Sequence, residues 1–269
     1  MEYIFILSNG IGNKIFMLIN ILHKYPKTNF YIVDKQSHHK EEKLIVLFPA
    51  LKNIKNIKFI DWREYDKLKD DVKEIKIDHN HAYYTIEGFT PSIKKYFKID
   101  EKYDSLKDKY DFTKGIFVHF RLGDKFTINL QELKKSKPPK YVVMKPEYYL
   151  DNISALLEKK NGPVYIFSDE PDLAKCLLSN EFEYPREDVN ETFYCFRNAK
   201  RVIISESTLS IAAVLLGSKK KDFVFPNFLY LPPSYKLVKS PYFDGGESNE
   251  KYIMKTLEDY KEVIKKCKS

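Results

Sequence analysis

Gly115 to Phe126 reads Gly-Ile-Phe-Val-His-Phe-Arg-Leu-Gly-Asp-Lys-Phe, and it gathers His119, Arg121 and Asp124 within six residues. A guanidinium presents a planar donor fork that suits phosphate or carboxylate, while an imidazole or a carboxylate can take a proton from a hydroxyl. The same residues admit a plainer reading: Arg121 and Asp124 as an i,i+3 ion pair in a turn, and His119 as a satisfied core histidine. A second group is Gly10, Gly12 and Asn13. The glycines let backbone approach a ligand closely, and Asn13 can cap a following helix and leave amide N–H groups facing an anion. Ser168 with Asp169, and Ser207 with Thr208, add hydroxyls and a carboxylate suited to a nucleotide or a phosphate. Asp169 serves equally well as a helix cap.

The surrounding sequence predicts where these groups stand. Ile116 to Phe120 is a β-branched and aromatic run that fits a buried strand, so its polar residues sit at a carboxyl strand end. Tyr3 to Leu7 reads as a first strand, and a helix follows to about Tyr25, where Pro26 stops it; Ile15, Phe16, Leu18, Ile19 and Leu22 form its apolar stripe. Phe30 to Val33 and Ile57 to Ile60 continue a strand and helix rhythm, as do Val164 to Phe167 and Val202 to Ile204. Pro146 opens a helix that Gly162 closes, Pro171 opens the next, and an apolar helix runs from Ser210 to Leu216. Leu130 to Lys140, with Pro138 and Pro139, reads as an exposed loop. In open α/β sheets ligands bind beyond the carboxyl ends of strands, and every polar group above falls at such an end.

The loop at Gly10 is neither a dinucleotide fingerprint, because Ile15 takes the third glycine position, nor a P-loop, because Gly-Lys-Ser/Thr is lacking. His38-His39 and His79-Asn80-His81 have no cysteine or carboxylate partners at ligand spacing and read as loop residues, so no metal site is expected. The chain has 269 residues, 43% of them apolar and 15% aromatic, with a net charge of +8. That balance suits acidic partners, a nucleotide sugar among them, but no zinc-finger, basic-zipper or RNA-recognition pattern accompanies it, so no nucleic-acid role is expected. No run approaches the roughly 20 apolar residues of a membrane span, and the amino terminus does not read as a signal peptide. Cys176, Cys195 and Cys267 are odd in number and form no Cys-x-x-Cys pair, which predicts reduced thiols and a cytoplasmic protein.

His119-Phe120-Arg121-Leu122-Gly123-Asp124 resembles the His-x-Arg-Arg-Gly-Asp motif of the alpha-1,2-fucosyltransferases (glycosyltransferase family 11), and also the His-x-Arg-x-Gly motif of the protein O-fucosyltransferases. Gly10 to Lys14 is similar to that family's Gly-x-Gly-Asn-Gln, with Lys14 in place of Gln. Tyr84 to Phe97 resembles its aromatic Gly-Tyr-Phe segment, and Phe167-Ser168-Asp169-Glu170-Pro171 its Phe-Ser-Asp-Asp-Pro. Ile204 to Gly217 resembles its Ile-Ser-Asn-Ser block; Glu206 replaces Asn there, and Ile211, Ala212 and Leu215 replace three tryptophans. Leu122 replaces the second Arg. The five stretches occur in the family's order between Tyr3 and Gly217.

The resemblance implies a GT-B-like fold, with two Rossmann-like α/β domains facing a cleft. The first would span 1–110, on the acceptor side, and the second 111–269, on the donor side, with a last helix at about 248–267 packing back on the first. It implies inverting, metal-independent transfer of L-fucose from GDP-fucose to a sugar hydroxyl, O2 of galactose in that family. Arg121 would hold the diphosphate, with His119 and Asp124 as the titratable groups of the reaction. Gly10, Gly12, Asn13, Ser168, Asp169, Ser207 and Thr208 would complete the donor site. No cofactor is implied, and the absence of an Asp-x-Asp pair agrees with a site that needs no metal. Another nucleotide-linked deoxysugar as donor, such as another deoxyhexose carried on GDP, or a non-catalytic module that binds nucleotide or nucleic acid, remain open alternatives.

Overall fold

The computed structural model describes residues 2–36, 41–75, 86–135, 143–217, 222–226, 237–239, 258, 260–262, 265 and 267. The chain divides into two units: Met1–Leu106 with Asp188–Arg197 and Thr208–Gly217, and Lys107–Glu187 with Asn198–Ser207 and Ser218–Ser269. Each carries one parallel sheet, the expected pair of Rossmann-like α/β halves. The histidine pairs at 38–39 and 79–81, the start of the aromatic segment at 84–85, Pro138 and Pro139 lie outside the described residues.

In the first unit, strands β1 (Glu2–Leu7), β2 (Asn29–Asp34), β3 (Ile57–Ile60) and β4 (Lys73–Glu74) pair in the order β3-β2-β1-β4. Helices α1 (Ile11–Lys24), α2 (Leu44–Leu47), α3 (Trp62–Leu68) and α4 (Pro91–Lys94) lie between and after them. The stripe expected on α1 is buried: Ile15, Phe16, Leu18 and Ile19 are at most 1% exposed. The cap is different from the one expected. Gly10 occupies the N-cap of α1 without a side-chain hydrogen bond, and Asn13 lies inside the first turn.

The second unit begins at the short helix α5 (Leu106–Lys109). Its strands β5 (Ile116–Phe120), β6 (Val164–Ser168), β7 (Arg201–Ile203), β8 (Asp222–Phe225) and β9 (Leu237–Lys239) run in the order β6-β5-β7-β8-β9. Helix α6 (Gly123–Lys134) follows β5, α7 (Pro146–Lys159) leads to β6, and α8 (Pro171–Leu177) leaves it. The remaining helices, α9 (Val189–Asn198) and α10 (Thr208–Leu216), belong almost wholly to the first unit although they fall late in the chain. All five residues of β5 are buried, as a central parallel strand requires. Ile116, Val118 and Phe120 face a core with Tyr148, Tyr149, Ile153 and Leu156. Phe117, on the opposite face, stacks on Phe112 and Phe167.

Two expectations are corrected. The loop predicted from Leu130 begins as helix, because α6 runs on to Lys134, and the residues beyond 135 are not described until Val143. Polar composition misled here: Asp124, Thr127, Gln131 and Lys134 of α6 are exposed, Asn129 is buried and the other residues of the helix are half-buried. Of the C-terminal stretch expected to form a last helix, Tyr260 and Cys267 are described against the core of the second unit. Tyr260 is 1% exposed, its hydroxyl donates to the Met144 carbonyl at 2.6 Å, and its ring meets Phe126 edge-on. The thiols are not all reduced either: Cys176 and Cys267 form a disulfide, while Cys195 is a buried thiol outside it. Their separation of 91 residues hid the pair, because only the packing of the C-terminal helix brings Cys267 beside α8.

Candidate functional site

The topology of the second sheet decides where its loops converge. From β5 the chain goes to β6 on one side and then returns to β7 on the other, so the strand order reverses at β5. Ligands of open parallel sheets bind outside the carboxyl ends at such a switch point. Arg121 to Lys125 follows β5, Ser168-Asp169 ends β6, and Ser205 to Ser207 follows β7. Register aligns Phe120 with Ser168 and Val118 with Ile203, which brings three stretches far apart in sequence to one edge.

Arg121 is the centre of this edge. One terminal nitrogen lies 2.7 Å from Asp124 Oδ1 and the other 3.0 Å from Asp169 Oδ2, and its side chain is 19% exposed. The i,i+3 pair is therefore real, and a second carboxylate joins it. Asp169 does not cap α8, whose N-cap is Glu170. It accepts instead from the Leu122 amide at 3.2 Å. Ser168 Oγ accepts from the Glu170 amide at 3.0 Å.

Gly123 shows how closely Asp169 is held. A Cβ on Gly123 would stand 2.1 Å from Asp169 Oδ2, so any side chain there would push the carboxylate off its place. Leu122, where the family pattern has its second Arg, is 1% exposed and belongs to the apolar core.

His119 shares the face of Phe117 and is 5% exposed. Burial, helped by the cations Arg121 and Lys125, pushes its imidazole down to about 3, so it is neutral at neutral pH. Sequence reasoning assigned no role to Lys125. Its ammonium contacts the Glu206 carbonyl and lies 3.0 Å from Glu206 Oε2, and burial lowers its pKa. That pair places Glu206 against a cation. Lys125 sits one residue beyond Asp124, but only the fold shows that the loop after β7 supplies its partner. Tyr148 steadies that loop by donating to the Ile204 carbonyl at 2.8 Å.

The first unit has its own switch point, since β2 and β4 flank β1. Gly10, Gly12 and Asn13 follow β1 there. Gly12 has a structural reason for its size: a Cβ would come within 2.3 Å of the Thr208 carbonyl carbon and 2.4 Å of the Leu209 amide, where α1 meets α10. Lys14 is fully buried. Its ammonium lies 2.8 Å from Asp34 at the end of β2 and 3.0 Å from Glu41, and Asp34 also accepts from the Leu44 amide. Thr208 opens α10 in this unit, whereas Ser207 belongs to the second and its amide donates to the Ser205 carbonyl. The structure thus gathers His119, Arg121, Asp124, Ser168 and Asp169 at one sheet edge, with Ser207 on the neighbouring loop. Gly10, Gly12, Asn13 and Thr208 are in the other unit.

Both halves define a two-sheet, Rossmann-like α/β protein. No family model matches the chain, and no curated protein is significantly similar to it. Among solved structures it is similar to the E. coli ADP-heptose LPS heptosyltransferase II, at 10% identity over 99% of this chain and 98% of that one, with a TM-score of 0.49. It is similar also to the E. coli heptosyltransferase WaaC with ADP-2-deoxy-2-fluoro heptose, at 10% identity over 99% of each chain, with a TM-score of 0.48. A third is NodZ α-1,6-fucosyltransferase soaked with GDP-fucose, at 14% identity over 81% of this chain and 93% of that one, with a TM-score of 0.47. Likeness at this level carries nothing about reaction or substrate. Among the described residues no cluster of His, Cys, Asp and Glu is arranged to hold a metal ion, and no helix is long and apolar enough to cross a membrane.

Proposed function

We propose that the protein is a metal-independent, inverting glycosyltransferase that moves L-fucose from GDP-fucose to a sugar hydroxyl, with O2 of galactose as the acceptor position that the motif resemblance implies. The observation that carries the donor half is Arg121, a guanidinium held by Asp169 at the switch point of a parallel sheet. In the reaction the acceptor oxygen bonds to the anomeric carbon as the bond to the β-phosphate oxygen breaks. Arg121 stabilises the charge that grows on the departing GDP.

Asp169 has the role of aiming that guanidinium. Ser168, Ser207 and neutral His119 contact the donor, and Asp124 takes the acceptor proton.

A second reading, a nucleotide-binding module without turnover, is favoured by one observation: the family's second Arg is a core leucine, Leu122, which supplies no charge. A thermal-shift panel of GDP, UDP, ADP and CMP, with and without EDTA, tests the donor, because a ligand that binds only the folded state raises the melting temperature. The expected result is a GDP-selective shift insensitive to EDTA. A UDP-selective or Mg²⁺-dependent shift overturns the fucosyl donor. Tight GDP binding without consumption of GDP-fucose in the presence of galactose-ended glycans selects the binding module.

A further inference from the structure

We infer that Asp124 is a built-in stand-in for the diphosphate: its carboxylate occupies the half of the Arg121 fork that the donor takes, and the donor enters by displacing it. This rests on the proposed donor reading. The edge holds three carboxylates, Asp124, Asp169 and Glu206, against two cations, Arg121 and Lys125. Burial keeps His119 neutral and adds no positive charge. A diphosphate added to that excess of negative charge is repelled at close range unless one carboxylate leaves.

The three are not held equally. Asp169 is fixed by Arg121, by the Leu122 amide and by its contact with Gly123. Glu206 is one member of a pair whose side chains are 14% and 19% exposed, and its backbone carbonyl binds the same ammonium. Asp124 is 47% exposed and reaches Arg121 from the first turn of α6, through a single 2.7 Å contact to one terminal nitrogen. An exposed ion pair of this kind is weak, whereas a diphosphate brings more negative charge and a charge-assisted hydrogen bond to the same terminal nitrogen. Asp124 is therefore the carboxylate that yields, and Asp169 is the one that stays. The guanidinium is thus aimed in the resting protein, and an anion too weak to displace Asp124 is refused.

Isothermal titration with inorganic pyrophosphate and with GDP, at fixed salt, tests this on the full chain. Asp124→Asn and Asp124→Ala are expected to tighten pyrophosphate binding about fivefold. Asp169→Asn is expected to weaken it. Glu170→Gln removes a charge next to Asp169 without touching Arg121 and is expected to change binding less than about twofold. If the Asp124 variants bind pyrophosphate no better than the unaltered chain, or Glu170→Gln tightens it as much, displacement is overturned while the donor reading stands. If neither the unaltered chain nor any variant binds GDP or pyrophosphate, the donor reading falls and this inference with it. Melting temperatures of all variants establish that each is folded.

Discussion

Gly123 and Asp169 are in contact across two strand ends, and the glycine is what allows it: a Cβ would stand 2.1 Å from the carboxylate oxygen that binds Arg121. The atom in the way is the end of a side chain, which can move. Gly123→Ala is therefore expected to displace Asp169 and leave the guanidinium badly aimed, while the fold survives. GDP affinity should fall by about tenfold, with a stability loss of about 1 kcal/mol, read by titration and chemical denaturation on the same sample. An alanine variant with unchanged GDP affinity would remove Asp169 from the aiming of Arg121.

Gly12 is expected to behave in the opposite way. Its missing side chain faces the backbone of Thr208 and Leu209, which cannot swing aside. Gly12→Ala should cost about 3 kcal/mol of stability through separation of α1 and α10. Urea denaturation measures it, and a loss under about 0.5 kcal/mol would show that the helices accommodate a methyl group.

Lys14 is the cation between two buried carboxylates, Asp34 and Glu41. Lys14→Gln puts an uncharged amide there and strands both carboxylates, and removal of one partner of a buried pair costs about 3–5 kcal/mol. Lys14→Gln together with Asp34→Asn and Glu41→Gln should recover much of that loss. Recovery absent in the triple variant would mean that the charges are not what the lysine serves.

His119 gives a pH dependence of defined sign. Its pKa is about 3 when folded against 6.5 unperturbed, so between those values the unfolded chain binds a proton that the folded one refuses. Stability from this group is complete above 6.5 and is lost as the pH falls toward 3. Relative to the unaltered chain, His119→Gln should lose less stability between pH 7 and pH 4, by on the order of 3 kcal/mol. Parallel stability profiles for the two proteins would mean that the imidazole is already charged in the folded state.

The disulfide predicts a thiol count. Unfolded protein without reductant should show one reactive thiol, that of Cys195, and three after reduction. The Cys176–Cys267 link closes a span of 91 residues, so its reduction should lower stability by about 4 kcal/mol. Three thiols in unreduced protein would leave the bond without support.

Local pattern made much of this legible. The β-branched and aromatic run at Ile116 to Phe120 declared a buried strand, because burial on both faces favours such residues, and counting alone puts Arg121 at its end. The prolines at 146 and 171 located two helix starts, because a fixed φ and a missing N–H suit the first helical turn. Asn13 and Leu130 to Lys134 were misread, since polar residues are as much at home on the open face of a helix as in a cap or a loop.

What the sequence by itself determined is six of the nine described strands, helices beside them and the polar residues at their carboxyl ends, set by steric and solvation rules acting over a few residues; β4, β8 and β9 came only from the fold. Which polar groups meet was decided by the tertiary structure alone. Asp169 reaches Arg121 because β5 and β6 are neighbours in register, and Lys125 meets Glu206 because the chain returns to pair β7 on the other side of β5. Gly12 abuts Thr208, and Cys176 joins Cys267, only where packing brings distant segments together. Such pairs depend on sheet order and close packing, and both arise when apolar surface from the whole chain is buried at once.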